Sequence, residues 1–389
     1  MSVPSPIHLA VALDGAGWHP AAWREASARP DELLSAGYWA DLVVEAESGR
    51  LDFVTIEDAF LLQSSKWGRS DERTDQVRGR LDAVLVAARV APLTSRIGIV
   101  ATATTTHTEP FHVSKAIATL DYVSSGRAGW RVQVGARPGE AELFGRRDIP
   151  EFGPADLDDP AVRALIAELF DEAADHVEVV RRLWDSWDDD AEIRDAVTGR
   201  FVDRDRLHYI DFVGSRFSVR GPSIVPRPPQ GQPVVVALAH VPVAFRLAGR
   251  AADVALVTPH DRAGIAPILE EGLPPHVFGE LVVFLDDDAG DAAARKARLD
   301  ELDGGEYVSD AEIFVGTPAQ LADLLADWHA AGLTGFRLRP GAIPHDLTAI
   351  TRALVPELQH RGLFRREYEA PTLRGLLRLS RPANRYAAV

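Results

Sequence analysis

Short apolar runs alternate with helical stretches along the whole chain, and this alternation limits the folds open to it. The eight runs are rich in β-branched residues and are predicted to be strands buried on both faces: residues 7–15, 52–58, 97–105, 128–136, 234–240, 253–259, 278–286 and 335–340. Parallel strands need a crossover between them, and most of these runs are separated by a segment long enough for a helix. Eight such units close a (β/α)₈ barrel, an α/β fold whose chemistry lies after the carboxyl ends of the strands.

Amphipathic spacing predicts helices over 31–49 and 82–90 and another that begins at Pro110. The gap between the fourth and fifth strands is far longer than one βα unit needs. It contains a predicted long helix over 160–187 and a predicted β-hairpin over 209–219. We therefore interpret residues 1–389 as a single barrel domain with an insertion at 137–232 and a basic C-terminal tail at 362–389.

Charge and composition exclude several classes of function. The formal net charge of −16 argues against nucleic acid or an anionic membrane as a partner. The chain has no cysteine, which excludes disulfides, thiolate metal sites and cysteine nucleophiles. The first residues resemble no signal peptide and no apolar run is long enough to span a bilayer, so we expect a cytoplasmic protein.

No single motif identifies the reaction that the protein catalyses, because the chain has no dinucleotide-binding, Walker, nucleophile-elbow or HExxH sequence. Candidates must come from residues at the strand ends. Asp58 ends the second strand, and since residues 59–62 do not resemble a helix start, we interpret it as functional rather than as a helix cap. Alternation places Thr102, Thr104 and Thr106 on one face near the mouth of the barrel, where their hydroxyls are available.

Arg131 alternates with valines on the fourth strand and therefore points into the barrel. A buried guanidinium needs an anionic partner, which leaves Glu57, Asp58 or a bound anion. His107 and His112 flank Pro110 and are the candidate acid–base groups, although a lone histidine is more often structural.

Three histidines at strand ends suggest a metal-dependent hydrolase as an alternative: His107, His240 and His260. That barrel class usually carries an HxH pair at the end of its first strand, whereas the only histidine of the first strand, His8, stands at its start. We predict no metal site.

Several stretches together resemble one family. They are ATATTT at 101–106 with EPF at 109–111, ATLDYVSSGRAGW at 118–130, VEVVRRLWDSW at 177–187, FSVRGP at 217–222, PPQGQP at 228–233 and RPANRYA at 381–387. In these segments the chain is similar to the bacterial luciferase-like flavin monooxygenases, and more narrowly to their nitrilotriacetate monooxygenase component A branch.

The resemblance implies a barrel that binds reduced FMN at the carboxyl ends of its strands. A separate NAD(P)H:flavin reductase would supply the reduced FMN, and the enzyme would use O₂ to oxidise a small organic substrate chosen by loops 137–160 and 240–275. We expect a homodimer or homotetramer. The positions that match cofactor-binding residues are Asp58 and Thr104 beside the flavin ring, Arg131 toward the flavin or an anionic substrate, Phe170 on the long helix, and His240 and Val241 at the phosphate.

The chain also departs from the branch. The phosphate loop QAGSS of the branch stands here as ALAHV at 237–241, its Thr-Ser pair after the fourth strand stands as Val134-Gly135, and its HxxRY aligns with Ile166 and Phe170. Two alternatives therefore stay open. One is a deazaflavin-dependent oxidoreductase, and the other is a non-catalytic barrel that has lost flavin binding.

Overall fold

Eight parallel strands close into a barrel, as the alternating pattern predicted. In chain order they are β1 His8–Leu13, β2 Phe53–Ile56, β3 Gly98–Thr104, β4 Ala128–Gln133, β5 Val234–Leu238, β6 Val254–Val257, β7 His276–Leu285 and β8 Gly335–Pro340. Each strand pairs in parallel with the next, and β8 pairs with β1 to complete the circle. The protein is described here by a computed structural model, which covers residues 6–387.

Helices surround the barrel. They are α1 Ala36–Ser48, α2 Ala83–Val90, α3 Pro110–Val123, α4 Pro138–Phe144, α5 Pro160–Trp184, α6 Pro242–Ala251, α7 Ile265–Leu269, α8 Ala289–Asp303, α9 Pro318–Ala330, α10 His345–Ala349, α11 Val355–His360 and α12 Leu373–Leu376, with a π-helical turn at Ile350–Leu354. Within residues 6–387, none of the helices combines the length and the apolar character needed to cross a membrane.

Two predicted helices differ from the structure at their ends. The helix predicted from residue 31 begins at Ala36, because the Ser35 side chain accepts from the Tyr38 N–H and caps it there. The long helix ends at Trp184 rather than at residue 187. Beyond that end, Trp187 turns its indole N–H toward the Ser223 carbonyl (2.8 Å), which holds the chain out of the helical path.

The segment between β4 and β5 contains the crossover helix and two hairpins. Helix α5 packs against both α3 and α6, which is the position of a crossover helix in this fold. The predicted hairpin is present with strands Phe212–Val213 and Ser218–Val219. A second hairpin, Glu192–Asp195 with Arg200–Val202, was not predicted. A further unpredicted strand, Glu312–Gly316, pairs with the second half of β7 outside the closed circle.

The amino-terminal end of the barrel is closed by the C-terminal segment. Leu373 and Leu377 are fully buried in a cluster with inward-facing residues such as Phe53 and Phe278. A Cβ on Gly98, at the start of β3, would lie only 2.6 Å from Leu373 Cδ1, so the glycine makes room for this side chain. With this end filled, the opposite end of the barrel is the one left for a site.

We expect Leu373→Ala to lower the free energy of unfolding by about 2–5 kcal/mol, since it leaves a cavity in the sealed end of the barrel. Denaturant-induced unfolding followed by circular dichroism measures the change. Leu85→Ala serves as the control because Leu85 is 70% exposed on α2. Equal effects of the two substitutions would contradict the sealing role of Leu373.

Candidate active site

Three arginines and two glutamates lie inside the barrel, next to the apolar cluster. Glu280 on β7 bridges Arg337 and Arg339 of β8, and Arg337 also donates to Glu57 at the end of β2 (2.8 Å). Glu57 in turn pairs with Arg131 of β4 (2.9 Å). The five side chains are at most 7% exposed. We call these five residues the barrel ion network. Buried charges of this kind are tolerated because they are paired.

The structure shows the anionic partner of Arg131, which the sequence had left open between Glu57, Asp58 and a bound anion. Its ion pair is with Glu57 and not with Asp58. Its Nη1 also lies 3.3 Å from the Thr102 hydroxyl and 3.3 Å from the side-chain oxygen of Gln133. The guanidinium is therefore already neutralised by the protein, and its contact with a flavin or an anionic substrate stays a prediction.

Asp58 makes a capping contact with a helix, which the sequence did not lead us to expect, although the N-cap residue of that helix is Asp82. Its Oδ2 accepts from the backbone N–H of Ala83, the first residue of α2 (3.0 Å), and its Oδ1 accepts from the Ala59 N–H (2.7 Å). The expectation rested on the residues directly after Asp58, but the helix it caps begins 25 residues later. Burial raises the pKa of Asp58 despite these hydrogen bonds. Its place beside the flavin ring stays a prediction.

The three threonines of the predicted row, Thr102, Thr104 and Thr106, are buried, and two of the three hydroxyls accept hydrogen bonds. Thr102 accepts from Arg131, and the Thr106 hydroxyl accepts from the Gly135 N–H (2.8 Å). Thr104, which the resemblance places beside the flavin, is 3% exposed. The predicted row of available hydroxyls is thus reduced by internal hydrogen bonds.

His107 is buried at the rim against α4. The ring of Phe144 stacks on it, with centroids 5.0 Å apart and planes 6° from parallel. Among the described residues neither ring nitrogen of His107 has a hydrogen-bond partner. Burial lowers the pKa of His107, and the nearby Arg147 lowers it further. These effects favour a neutral imidazole, and its acid–base role stays a prediction.

The two remaining candidates on helices differ in burial. His112 is exposed in the first turn of α3. Phe170 is half-buried on α5 and packs against the main hydrophobic core. The roles assigned to them from the sequence, as acid–base group and as flavin contact, stay predictions.

His240 and Val241 follow β5 and lead into α6. Both side chains are exposed, and Val241 is the N-cap residue, so no side chain caps this helix. The first N–H groups of a helix have no intrahelical partner and attract anions. Although burial opposes ionisation, Arg339 lowers the pKa of Asp310 to about 2, and His240 adds a smaller contribution in the same direction.

His260, the third histidine predicted at a strand end, lies beside a glutamate. His260 is exposed and lies 3.6 Å from Glu312. In the part of the chain that the structure describes, no group of three or more histidine and acidic side chains is arranged to hold a metal ion.

A cavity of about 280 Å³ opens beside the barrel ion network. It lies between the ends of β1 and β2 and loop 64–79, and Glu57 forms part of its wall. Apolar side chains, among them Trp23 and Trp39, line one part, and the paired Arg80 and Asp14 line another.

Sequence reasoning missed most of the barrel ion network although a pattern for it was present. Arg337 and Arg339 alternate with apolar residues on β8 in the same way that Arg131 does on β4. Period-two alternation in a barrel strand sends such side chains inward.

Comparison with known proteins identifies the family. The sequence model that describes the luciferase-like monooxygenase family matches residues 16–271 of this chain. N-acetyl-S-(2-succino)cysteine monooxygenase of Bacillus subtilis is 31% identical, with 98% of each chain covered. The chain belongs to the luciferase-like monooxygenase family. The resemblance noted in the sequence is thereby confirmed.

Two further members of the luciferase-like family match this chain over nearly their full length, one in sequence and one in structure. Nitrilotriacetate monooxygenase component A of Aminobacter aminovorans is 29% identical, with 100% of this chain and 99% of the relative covered. The crystal structure of long-chain alkane monooxygenase superposes with a TM-score of 0.83 and 22% identity, covering 96% of each chain. The predicted (β/α)₈ barrel of luciferase-like type is therefore confirmed.

We expect Glu57→Gln to destabilise the protein by about 3–5 kcal/mol at pH 7, because it leaves Arg131 buried without its carboxylate. Although burial opposes ionisation, Arg131, Arg337 and Arg339 lower the pKa of Glu57 to about 2. A lowered pKa contributes stability above the unfolded value near 4.5 that is lost as the pH falls toward 2. The difference in unfolding free energy between wild type and variant should therefore shrink from pH 5 to pH 2.

Denaturant titrations at several pH values measure this difference. Glu142→Gln is the control, because Glu142 pairs with Arg69 on the surface and such pairs contribute little. A difference between wild type and Glu57→Gln that stays constant down to pH 2 would show that Glu57 is not ionised in the folded barrel.

Proposed function

We propose that this protein is the oxygenase component of a two-component flavin-dependent monooxygenase, which uses reduced FMN and O₂ to oxidise a small organic substrate. The observation that carries the proposal is the match to named monooxygenases over nearly the full length of both chains. Members of the family resemble this chain in the motifs around β3, β4 and α5, of which the threonine-rich end of β3 lies at the open end of the barrel.

The residues at the rim suit FMN at two points. The N-terminus of α6 has backbone N–H groups that no side chain caps, and His240 precedes it, so this end suits the phosphate. Thr104 is the proposed neighbour of the flavin ring. Unpartnered buried polar atoms on His107 supply hydrogen-bonding capacity at the same rim.

Bound reduced FMN would supply the activation of O₂, and the chain's own residues would position and enclose the reactants. The barrel ion network holds β2, β4, β7 and β8 in fixed register below the rim. The aromatic rings of Phe60 and Phe144 shield His107 from water. A neutral His107 carries one proton on its ring and has one free acceptor nitrogen.

The partner protein in this proposal is an NAD(P)H:flavin reductase. The relative from Aminobacter aminovorans is named as component A, which implies a second component. We propose that loops 137–160 and 240–275 select the substrate and that the chain assembles as a homodimer or homotetramer.

Anaerobic titration of the full chain with reduced FMN tests the proposal. We expect micromolar binding, followed by a flavin absorbance change when O₂ is admitted. Reduced riboflavin, which has the same ring but no phosphate, should bind about fivefold more weakly, since a charge at a helix N-terminus contributes on the order of 1 kcal/mol.

His240→Glu should remove this preference by placing a carboxylate beside the phosphate position. Arg246→Gln is the control, because it also lowers the charge of α6 by one but lies exposed in the middle of the helix. Binding of a deazaflavin in place of reduced FMN would overturn the assignment of the cofactor. Binding of neither would overturn the proposed activity.

A further inference from the structure

The cavity beside the barrel ion network has a wall that is largely apolar. Its volume of about 280 Å³ is close to the lower end of the range for small-molecule pockets. The apolar side chains come from two separate segments of the chain and include Trp23, Leu33, Leu34, Trp39, Val77 and Leu81. An open space with such a wall favours an apolar ligand, because binding there removes apolar surface of both partners from water.

The indole N–H groups of the two tryptophans are used within the fold. Trp23 Nε1 donates to the Asp75 carbonyl (2.9 Å), and Trp39 Nε1 donates to the Leu33 carbonyl (3.0 Å). Both indoles therefore contribute apolar ring surface to the cavity rather than free donors.

The charged side chains that line the cavity are already paired by the protein. Arg80 donates to both carboxylate oxygens of Asp14, and Arg78 donates to Asp71 (2.6 Å). Glu57 is held by two arginines of the barrel ion network. A charged ligand would lose its hydration here without meeting an uncompensated partner, so the wall disfavours a carboxylate or an ammonium group.

The loop that forms the outer wall of the cavity is fixed by hydrogen bonds. Gln63 accepts from the Gly79 N–H (2.9 Å) and donates to the Gly79 carbonyl (3.1 Å), which closes loop 64–79 at its base. Gln76 donates to Asp303 on α8 (2.7 Å), which ties the loop to a neighbouring helix. The cavity is therefore preformed, so a ligand need not order the loop in order to bind.

The cavity lies next to the place where the reaction is proposed to occur. Glu57, which forms part of its wall, directly follows β2, and β2 pairs with β3. Strand β3 ends at Thr104, the proposed neighbour of the flavin ring. On the outer side, Leu34 is 66% exposed at the edge of the cavity. A ligand seated here would thus have one end near the mouth of the barrel.

We propose that this cavity holds the apolar body of an uncharged substrate, such as an aromatic or alicyclic ring system, and that it disfavours polycarboxylates. That the ligand is a substrate rests on the proposed function, and segments 23–39 and 74–81 then join the loops that select it. The preference of the cavity for a neutral apolar ligand does not depend on that function.

Ligand-observed ¹⁹F NMR with the full chain tests the proposal. We expect saturable binding of 4-fluoroacetophenone, a neutral aromatic ketone. The anion 4-fluorobenzoate has nearly the same size and should bind at least about tenfold more weakly, since each arginine that lines the cavity already has a carboxylate partner. No saturable binding of the ketone, or equal binding of the two probes, would overturn the proposal.

Substitutions in the wall locate the bound probe. Val77→Trp fills the cavity from the loop side and should weaken ketone binding at least about tenfold, whereas Val77→Ala should keep it within about threefold of wild type. Full ketone binding by Val77→Trp would show that the probe binds elsewhere and would overturn the proposal.

A charge placed at the edge of the cavity gives a second test that leaves the buried packing intact. Leu34→Lys should strengthen 4-fluorobenzoate binding about threefold, the size expected of an exposed ion pair. Leu85→Lys is the matched control, because Leu85 is 70% exposed on α2 and does not line the cavity. Equal effects of the two lysine substitutions on 4-fluorobenzoate binding would contradict the proposed position of the ring.

Anaerobic competition with reduced FMN separates this cavity from the cofactor site. Saturating reduced FMN should leave the ketone bound, and displacement of the ketone would place it in the cofactor position and overturn the proposal. If wild type bound the ketone but not reduced FMN, the proposed function would fail while the apolar cavity would stand as a binding site. If it bound reduced FMN but not the ketone, the proposed function would stand and this inference would fail.

Discussion

The barrel depends on ion pairs in its interior. Side chains alternate between the two faces of each strand, and this alternation directs several charged residues inward. Arg131, Arg337 and Arg339 point into a closed cylinder where water cannot neutralise them, and Glu57 and Glu280 supply two opposite charges. The third is balanced by Asp310 at the outer end, 2.6 Å from Arg339. Because each carboxylate bridges two strands, the ion pairs also fix the strands relative to one another.

This network decides which rim residues are available for chemistry. It neutralises Arg131 and Glu57, and Asp58 accepts a hydrogen bond from the start of α2, so these groups already have partners within the protein. Among the described residues, His107 and Glu140 on the β3–β4 side keep buried polar atoms without a hydrogen-bond partner, and so do Arg131, Arg337 and Arg339 of the network itself. The phosphate end of the proposed cofactor falls on a different loop, at α6.

Much of the fold could be predicted from the periodicity of apolar residues in the sequence. All eight barrel strands were predicted within a few residues, since a strand buried on both faces must be continuously apolar, and Arg131 was correctly placed inside from its alternation with valine. Strands at 192–202 and 312–316 were missed because they are short and mostly half-exposed, without a continuous apolar run. The contact between Asp58 and α2 was not foreseen, because its hydrogen bond to Ala83 joins residues far apart in the chain.

The amino-acid sequence by itself determined the barrel and the family, because apolar periodicity and local motifs are properties of neighbouring residues. Only the tertiary structure decided which charges neutralise one another, that the Leu373 segment seals one end of the barrel, and that Glu140 fills the space above Gly135. These outcomes join residues from separate strands and helices. Their energies depend on distance and burial in three dimensions, which no local pattern records.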